Sequence, residues 1–273
     1  MAERIGFAYL LTMSVSGVET RGSHVTQAET AKAIAKPIGD LGGAFMLDGA
    51  TYARGAELGF SGIDFYVLGR GGVLGDTTPD VVSSAFFFWN PEQVRTQWEL
   101  ARKVMDPAKA ALEWADLCHS YGDAHLPDLG PLDRFSELAA KVCDAASPAG
   151  AALFAGWRSL PVPDADRPKA RAQHYLNALR ELRGGLHGGA VLAMGLTPAE
   201  AVALHSPMMA PVFGWDVDTI PIDDSTKGEW KIAEVGTDLA MARVLHALSA
   251  DECAEFEALV LALHKAVQAA KEG

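Results

Sequence analysis

Asp166-Arg-Pro-Lys-Ala-Arg-Ala-Gln-His-Tyr-Leu-Asn-Ala-Leu-Arg-Glu-Leu-Arg-Gly-Gly-Leu-His-Gly-Gly189 is the stretch on which the reading of the fold turns. It holds the longest helical signal in the chain, from Asp166 to about Arg183. A second helical piece, Leu186 to Met194, follows the pair Gly184-Gly185. If the helix runs through those glycines, Arg180, Arg183 and His187 stand at i, i+3 and i+7. At 100° per residue they then fall within about 60° of one another. Tyr175, Leu179, Leu182 and Leu186 occupy the adjacent face, so two guanidiniums and an imidazole flank an apolar seam. That arrangement suits a carboxylate or phosphate on a small ligand. A break at Gly184-Gly185 leaves a glycine-hinged helix junction instead. The same residues also fit a structural arrangement in which Arg183 pairs with a nearby carboxylate and the glycines let helices cross.

The rest of the chain reads as helix on both sides of this stretch. Thr26 and Glu29 form a capping-box pattern ahead of Ala28 to Lys36, and Pro37 ends or kinks that run. Short helices are expected at about Leu41 to Leu47, Tyr52 to Leu58 and Gly62 to Leu68, in a glycine-rich region that implies tight packing. Three proline-started helices follow: Thr78 before Pro79 to Trp89, Asn90 before Pro91 to Val104, and Asp106 before Pro107 to Tyr121, with Gly122 as a C-terminal stop. Leu132 to Ala146 and Pro148 to Ser159 are further helices, and Leu160-Pro-Val-Pro163 is extended. Thr197-Pro-Ala-Glu200 opens another helix. Ser206 to Lys227 reads as a linker with a short strand at Asp218 to Ile222. Glu229 to Leu248 and Asp251 to Ala270 close the chain, the latter capped by Ser249. Strand-like alternation is scarce. The expected class is all-α: a multi-helix orthogonal bundle with a smaller C-terminal helical part, or a degenerate winged helix there. The divisions are an extension over residues 1–24, a helical ligand-binding domain over 25–205, a linker over 206–228 and a helical hairpin over 229–273.

Composition narrows the function classes. The 273 residues are 49% hydrophobic and carry a formal charge of −12, which predicts a packed core and disfavours a nucleic-acid partner. Cys118, Cys143 and Cys253 are far apart and odd in number, the pattern of reduced, buried thiols in a cytoplasmic protein. No apolar run reaches membrane-spanning length, so no membrane is expected. Phe7 to Met13 imitates a signal-peptide core but lacks the basic flank and cleavage site.

Other constellations are weaker. Gly69-Arg-Gly-Gly-Val-Leu-Gly75 lacks the preceding strand and the Lys-Ser/Thr of a phosphate loop, but Arg70 could supply a cation to a pocket. In Phe86-Phe-Phe-Trp-Asn-Pro91 four successive aromatics cannot face one way. Some pack in the core while others, with Phe87 and Trp89 as candidates, wall a cavity. The eight histidines form no metal signature, so no metal site is assigned. The sequence specifies no cofactor, although a haem or metal held by one histidine is compatible with it. Cys118 beside His119 is an accident of sequence, since helix neighbours point about 100° apart.

Taken together, Tyr52-Ala-Arg-Gly-Ala-Glu-Leu-Gly59, Gly69 to Gly75, Ala85-Phe-Phe-Phe-Trp-Asn-Pro91 and Leu179-Arg-Glu-Leu-Arg-Gly-Gly-Leu-His187 resemble an actinobacterial group of helical proteins labelled helix-turn-helix-like. The resemblance runs over roughly Leu41 to Leu204. It implies a helical N-terminal domain with Arg70, Arg180, Arg183 and His187 near one pocket, followed by a winged-helix-like C-terminal part. The chain departs from the group in its Pro-rich, acidic residues from Ser206 to Glu229. It also departs at Gly185-Leu186, where the group tends to have an acidic residue and a glycine before the histidine.

The leading expectation is a cytoplasmic protein that binds a small anionic or aromatic ligand through Arg70, Arg180, Arg183 and His187, with Phe87 and Trp89 as walls, as a monomer or homodimer. A second reading is an enzyme with His187 as general acid or base and the arginines stabilising negative charge. A third is a ligand-responsive transcription regulator with a helix-turn-helix near Glu229 to Leu263. A fourth is a structural or partner-binding scaffold, favoured if the Arg/His face is paired internally.

Overall fold

The computed structural model describes residues 23–272. Residues 1–22 of the expected extension, including Phe7 to Met13, lie outside the described residues, and helix already begins at Ser23. The helices are α1 (Ser23–Gly43), α2 (Gly49–Glu57), α3 (Ile63–Gly71), α4 (Pro79–Phe86), α5 (Pro91–Ala101), α6 (Pro107–His125), α7 (Leu132–Ala145), α8 (Ala152–Arg158), α9 (Pro168–Ala193), α10 (Pro198–His205), α11 (Ala210–Phe213), α12 (Asp224–Leu245) and α13 (Ala250–Glu272). No strand occurs among the described residues. The all-α bundle expected from the sequence is what forms, and the strand expected at Asp218 to Ile222 is instead a 3-10 turn, Val217–Thr219.

α9 is the axis. It packs against α1, α6, α7, α8 and α12, and it is one unbroken helix of 26 residues through Gly184-Gly185. Those glycines cost intrinsic helix stability, but the stretch that holds them is where other chain segments cross. A Cβ on Gly185 would lie 2.6 Å from Ala151 Cα, and one on Gly188 would lie 2.9 Å from the Phe87 ring. Gly122 does not end its helix as expected, because α6 continues to His125. It is another crossing glycine: a Cβ there would meet Lys169 O and Gln173 Cβ, both at 2.6 Å.

Pro37 likewise fails to end α1. The proline removes one helical hydrogen bond, but Ile34, Ile38 and Leu41 are buried on either side of it, and α9, α12 and α13 all pack on α1. The turn that loses a bond is therefore held from outside. The capping signals at Asn90 and Asp106 act as read, each side chain accepting from a backbone N–H of its first turn. Thr197 and Glu200 complete a reciprocal box, and Ser249 with Glu252 does the same ahead of α13. Thr78 makes no such bond.

The main core joins residues from Ala31 to Leu182 with residues from Met241 to Val267, so helices on both sides of residues 206–228 share it. All three cysteines are buried free thiols. Burial pushes the Cys143 thiol up to about 12, so it is protonated and unreactive at neutral pH. Among the described residues no helix is long and apolar enough to cross a membrane.

The two glycines of the α9 pair separate by consequence. A Cβ on Gly184 would meet nothing within 4 Å, whereas one on Gly185 would run into backbone. Gly184→Ala should raise stability by about 1 kcal/mol, the helix-propensity difference. Gly185→Ala should lower it by about 1–3 kcal/mol through overpacking against Ala151. Thermal unfolding followed by circular dichroism of the two variants checks the opposite signs.

Candidate functional site

The charged face of α9 is divided between two carboxylates. Glu181 takes the first group. Arg70, from the end of α3, grips it with Nε to Oε1 at 2.8 Å and Nη2 to Oε2 at 2.7 Å, and Arg180 Nη1 donates to Oε1 at 2.9 Å. The Arg70 and Glu181 side chains are 13% and 3% exposed. The Arg70 guanidinium also lies over the Phe86 ring, 4.7 Å from its centroid. Burial alone would raise the Glu181 carboxyl, but Arg70 and Arg180 outweigh it and hold the group below its ordinary value. The pair is therefore ionised and self-satisfied.

Glu234, on α12, organises the second group. Arg183 Nη2 donates to Glu234 Oε2 at 2.9 Å and to Asp238 Oδ1 at 3.4 Å. His187 places Nδ1 2.8 Å from Thr237 Oγ1 and Nε2 3.4 Å from Glu234 Oε1. Burial, against the pull of Glu234, takes the His187 imidazole down to about 4, so it is neutral at pH 7. Glu234, His187 and Thr237 thus follow one another in the order carboxylate, imidazole, hydroxyl. The hydroxyl is fully buried, however, and also donates to Ala233 O within its own helix. The rings of Phe88 and Trp230 cover the imidazole. This chain of groups fastens α9 to α12 and presents no nucleophile to solvent.

The resemblance places the four polar residues near one pocket, and the sequence pattern puts three of them on one face. The structure keeps that face but splits its partners: Arg70 and Arg180 meet at Glu181, Arg183 and His187 at Glu234. Phe87 leans on Gly188 and borders a cleft lined in part by Arg70, Ala151, Glu181 and Gly185. The cleft has a volume of about 40 Å³, against several hundred for a typical metabolite site. Trp89 stands elsewhere, stacked on Tyr66 and against Phe213, and it is buried with Phe86. Sequence reasoning missed Glu181, Glu234, Thr237 and Asp238 as partners. The spacing of Glu234 and Asp238, one helical turn apart, was the available signal. It also missed a buried histidine pair, His119 Nε2 to His174 Nδ1 at 3.1 Å.

A second feature lies at the aromatic run. α4 ends at Phe86 instead of continuing to Trp89, because Phe87 has the left-handed φ of +39°. Phe87 to Asn90 form a four-residue turn, and α5 begins at Pro91. α5 packs against both α3 and α4, and its buried residues are Val94, Trp98 and Ala101. α3, α4 and α5 are thus three short helices with a tight turn between the last two. Thr96, Glu99, Leu100 and Lys103 lie exposed on and just beyond α5.

The chain belongs to a helix-turn-helix family. The family model matches residues 31–220, which include the whole of α3 to α5. No curated protein and no solved structure matches the chain. Membership corrects the expectation, drawn from net charge, that a nucleic-acid partner is disfavoured. It also leaves the expected small-molecule partner without support, since neither the family nor the 40 Å³ cleft supplies any. The helix-turn-helix expected near Glu229 to Leu263 falls outside the matched residues. Among the described residues no group of three or more His, Cys, Asp or Glu is arranged to hold a metal ion.

Two measurements test the polar groups. Glu181→Ala should destabilise the fold by about 3–5 kcal/mol, because it strands the buried Arg70 charge, and urea unfolding reads that loss. The second concerns pH. His119, His174 and His187 are depressed chiefly by burial to about 4, 3 and 4 from an ordinary 6.5. The unfolded chain therefore binds protons first. Stability should be intact above about pH 6.5 and fall as pH drops towards 4. His119→Gln with His174→Gln should flatten that slope in unfolding curves measured across the range.

Proposed function

We propose that this protein is a regulator that associates with nucleic acid through the α3–α5 unit, with α5 as the helix presented to the groove. The observation that carries the reading is the coincidence of the family match with a three-helix unit whose last two helices are joined by a four-residue turn. One fact supports it further: the unit is rigid, because Trp98 and Val94 are fully buried beneath α5. Arg95 and Arg102 are paired with Asp80 and Asp76, so a phosphate would have to compete with those carboxylates for them.

The Arg/His groups have a different part in this reading. They join α9 to α3 and to α12, and so hold the frame on which the unit sits. This favours the scaffold reading of that face over the enzyme reading, on the observation that Arg70, Arg183 and His187 all meet carboxylates of the chain itself.

Sequence-independent binding by such a unit is electrostatic and weakens steeply with salt. Fluorescence anisotropy of labelled mixed-sequence duplex at about 50 mM salt should show association that is lost by about 200 mM. Thr96→Glu with Lys103→Glu, both on the exposed face, should weaken it about 10-fold while leaving the melting curve unchanged. Association that is insensitive to both the salt and these substitutions would overturn the assignment of α5.

A further inference from the structure

Residues 206–223, between α10 and α12, lie across the start of α5. The segment winds through a 3-10 turn at Pro207–Met209, the short helix α11 and the turn at Val217–Thr219. Its backbone carbonyls are directed at the turn and at the first residues of α5. Asn90 N–H donates to Phe213 O at 2.8 Å. Asn90 Nδ2 donates to Gly214 O at 3.0 Å, and Gln93 Nε2 to Val212 O at 3.4 Å. In return, Trp215 Nε1 donates to Phe88 O at 2.8 Å, and the Phe213 ring lies 4.9 Å from that of Trp89. Gly214 has a φ of +84° and sits so close that a Cβ would come within 2.7 Å of Gln93 Cβ.

The residues engaged are the ones a helix-turn-helix uses. The start of the second helix is the part that reaches base edges, and Asn and Gln amides are the side chains that read adenine there. Here both amides donate to carbonyls of the segment, which stand in the place of acceptors on a base or phosphate. The charge of the segment points the same way. From Ser206 to Asp223 it contains Asp216, Asp218 and Asp223 and neither Lys nor Arg. Asp216 directly follows Trp215, whose indole is bonded to the turn before α5, so the segment brings negative charge and no positive charge to a phosphate approaching there.

The hold on α5 is local. Ala210 is the fully buried residue of the segment, while Met208 is 92% exposed and Val212 is 36% exposed. Few apolar contacts and solvent-facing hydrogen bonds mark a segment that opens without global unfolding. Its removal would leave the core beneath α5, built on Val94 and Trp98, in place.

We propose that residues 206–223 are an acidic strap that occludes the start of α5 and must be displaced for nucleic acid to bind. The proposal rests on the reading of α3–α5 as the binding unit, and the test separates the two. Phe213→Ala with Trp215→Ala removes the anchors of the strap in the full chain. Its release is read independently as faster amide hydrogen exchange at Asn90 and residue 215. Anisotropy with mixed-sequence duplex should then show about 10-fold tighter binding than the unmodified chain. In the unmodified chain, added duplex should itself speed exchange at Trp215. Equal affinity of the two chains, with release demonstrated, overturns the strap and leaves the binding unit standing. Absence of binding by both, with release demonstrated, overturns both. If the double variant loses its helical signal, Asp216→Asn with Asp218→Asn, which alters charge alone, takes its place. Tighter binding by that chain supports the strap, and unchanged binding overturns it.

Discussion

The fold depends on α9 staying helical through Gly184-Gly185. A helix of 26 residues spans about 39 Å, enough for α1, α6, α7, α8 and α12 to pack along its length. A kink at the glycines would swing Leu186, His187 and Val191 away from α12 and detach the second small core formed by Val191, Leu196, Ala201 and Ala233. What keeps the stretch helical is the absence of side chains at the crossings. Gly185 admits the backbone at Gly150 and Ala151, and Gly188 admits the Phe87 ring. The intrinsic cost of glycine in a helix is about 1 kcal/mol each. Each close crossing restores contacts of comparable size, so the helix persists where propensity alone would break it.

That continuity explains the electrostatics. Arg180, Glu181, Arg183 and His187 occupy two successive turns of one helix, and neighbouring helices converge on them. Buried charges must be paired, and each neighbour brings what α9 lacks. α3 brings Arg70 to Glu181. α12 brings Glu234 and Asp238 to Arg183. Such pairs add little net stability over apolar packing, yet breaking one leaves a stranded charge. Their effect is therefore registry: only one axial position of α9 against α3 and α12 satisfies both groups.

The parts of this legible in the sequence were those encoded locally. Asn90, Asp106, Thr197 with Glu200, and Ser249 announce helix starts within four residues of themselves, and each acts as read; Glu252 adds the reciprocal bond to Ser249. The shared face of Arg180, Arg183 and His187 follows from helical spacing alone. The misread elements are set by distant partners. Pro37 is held helical by packing from three other helices. Gly122 is a crossing and not a stop because Lys169 lies opposite it. Phe87 leaves the helix because Gly188, about a hundred residues later, leaves room for its ring. The partners of the arginines also lay out of reach of any window, since Glu234 is about fifty residues from Arg183 and Arg70 more than a hundred from Glu181.

Net charge misled for a related reason. It is a property of the whole chain, whereas nucleic-acid recognition is a property of one surface. Many of the acidic residues are matched with basic ones elsewhere: Arg134 among Glu137, Glu252 and Glu255, Arg54 against Glu113, Arg167 against Asp123. Another group, Asp216, Asp218, Asp223 and Asp224, falls within a short stretch that ends at the start of α12. The total of −12 and membership of a helix-turn-helix family are therefore not in conflict, since the total does not say which surface carries the charge.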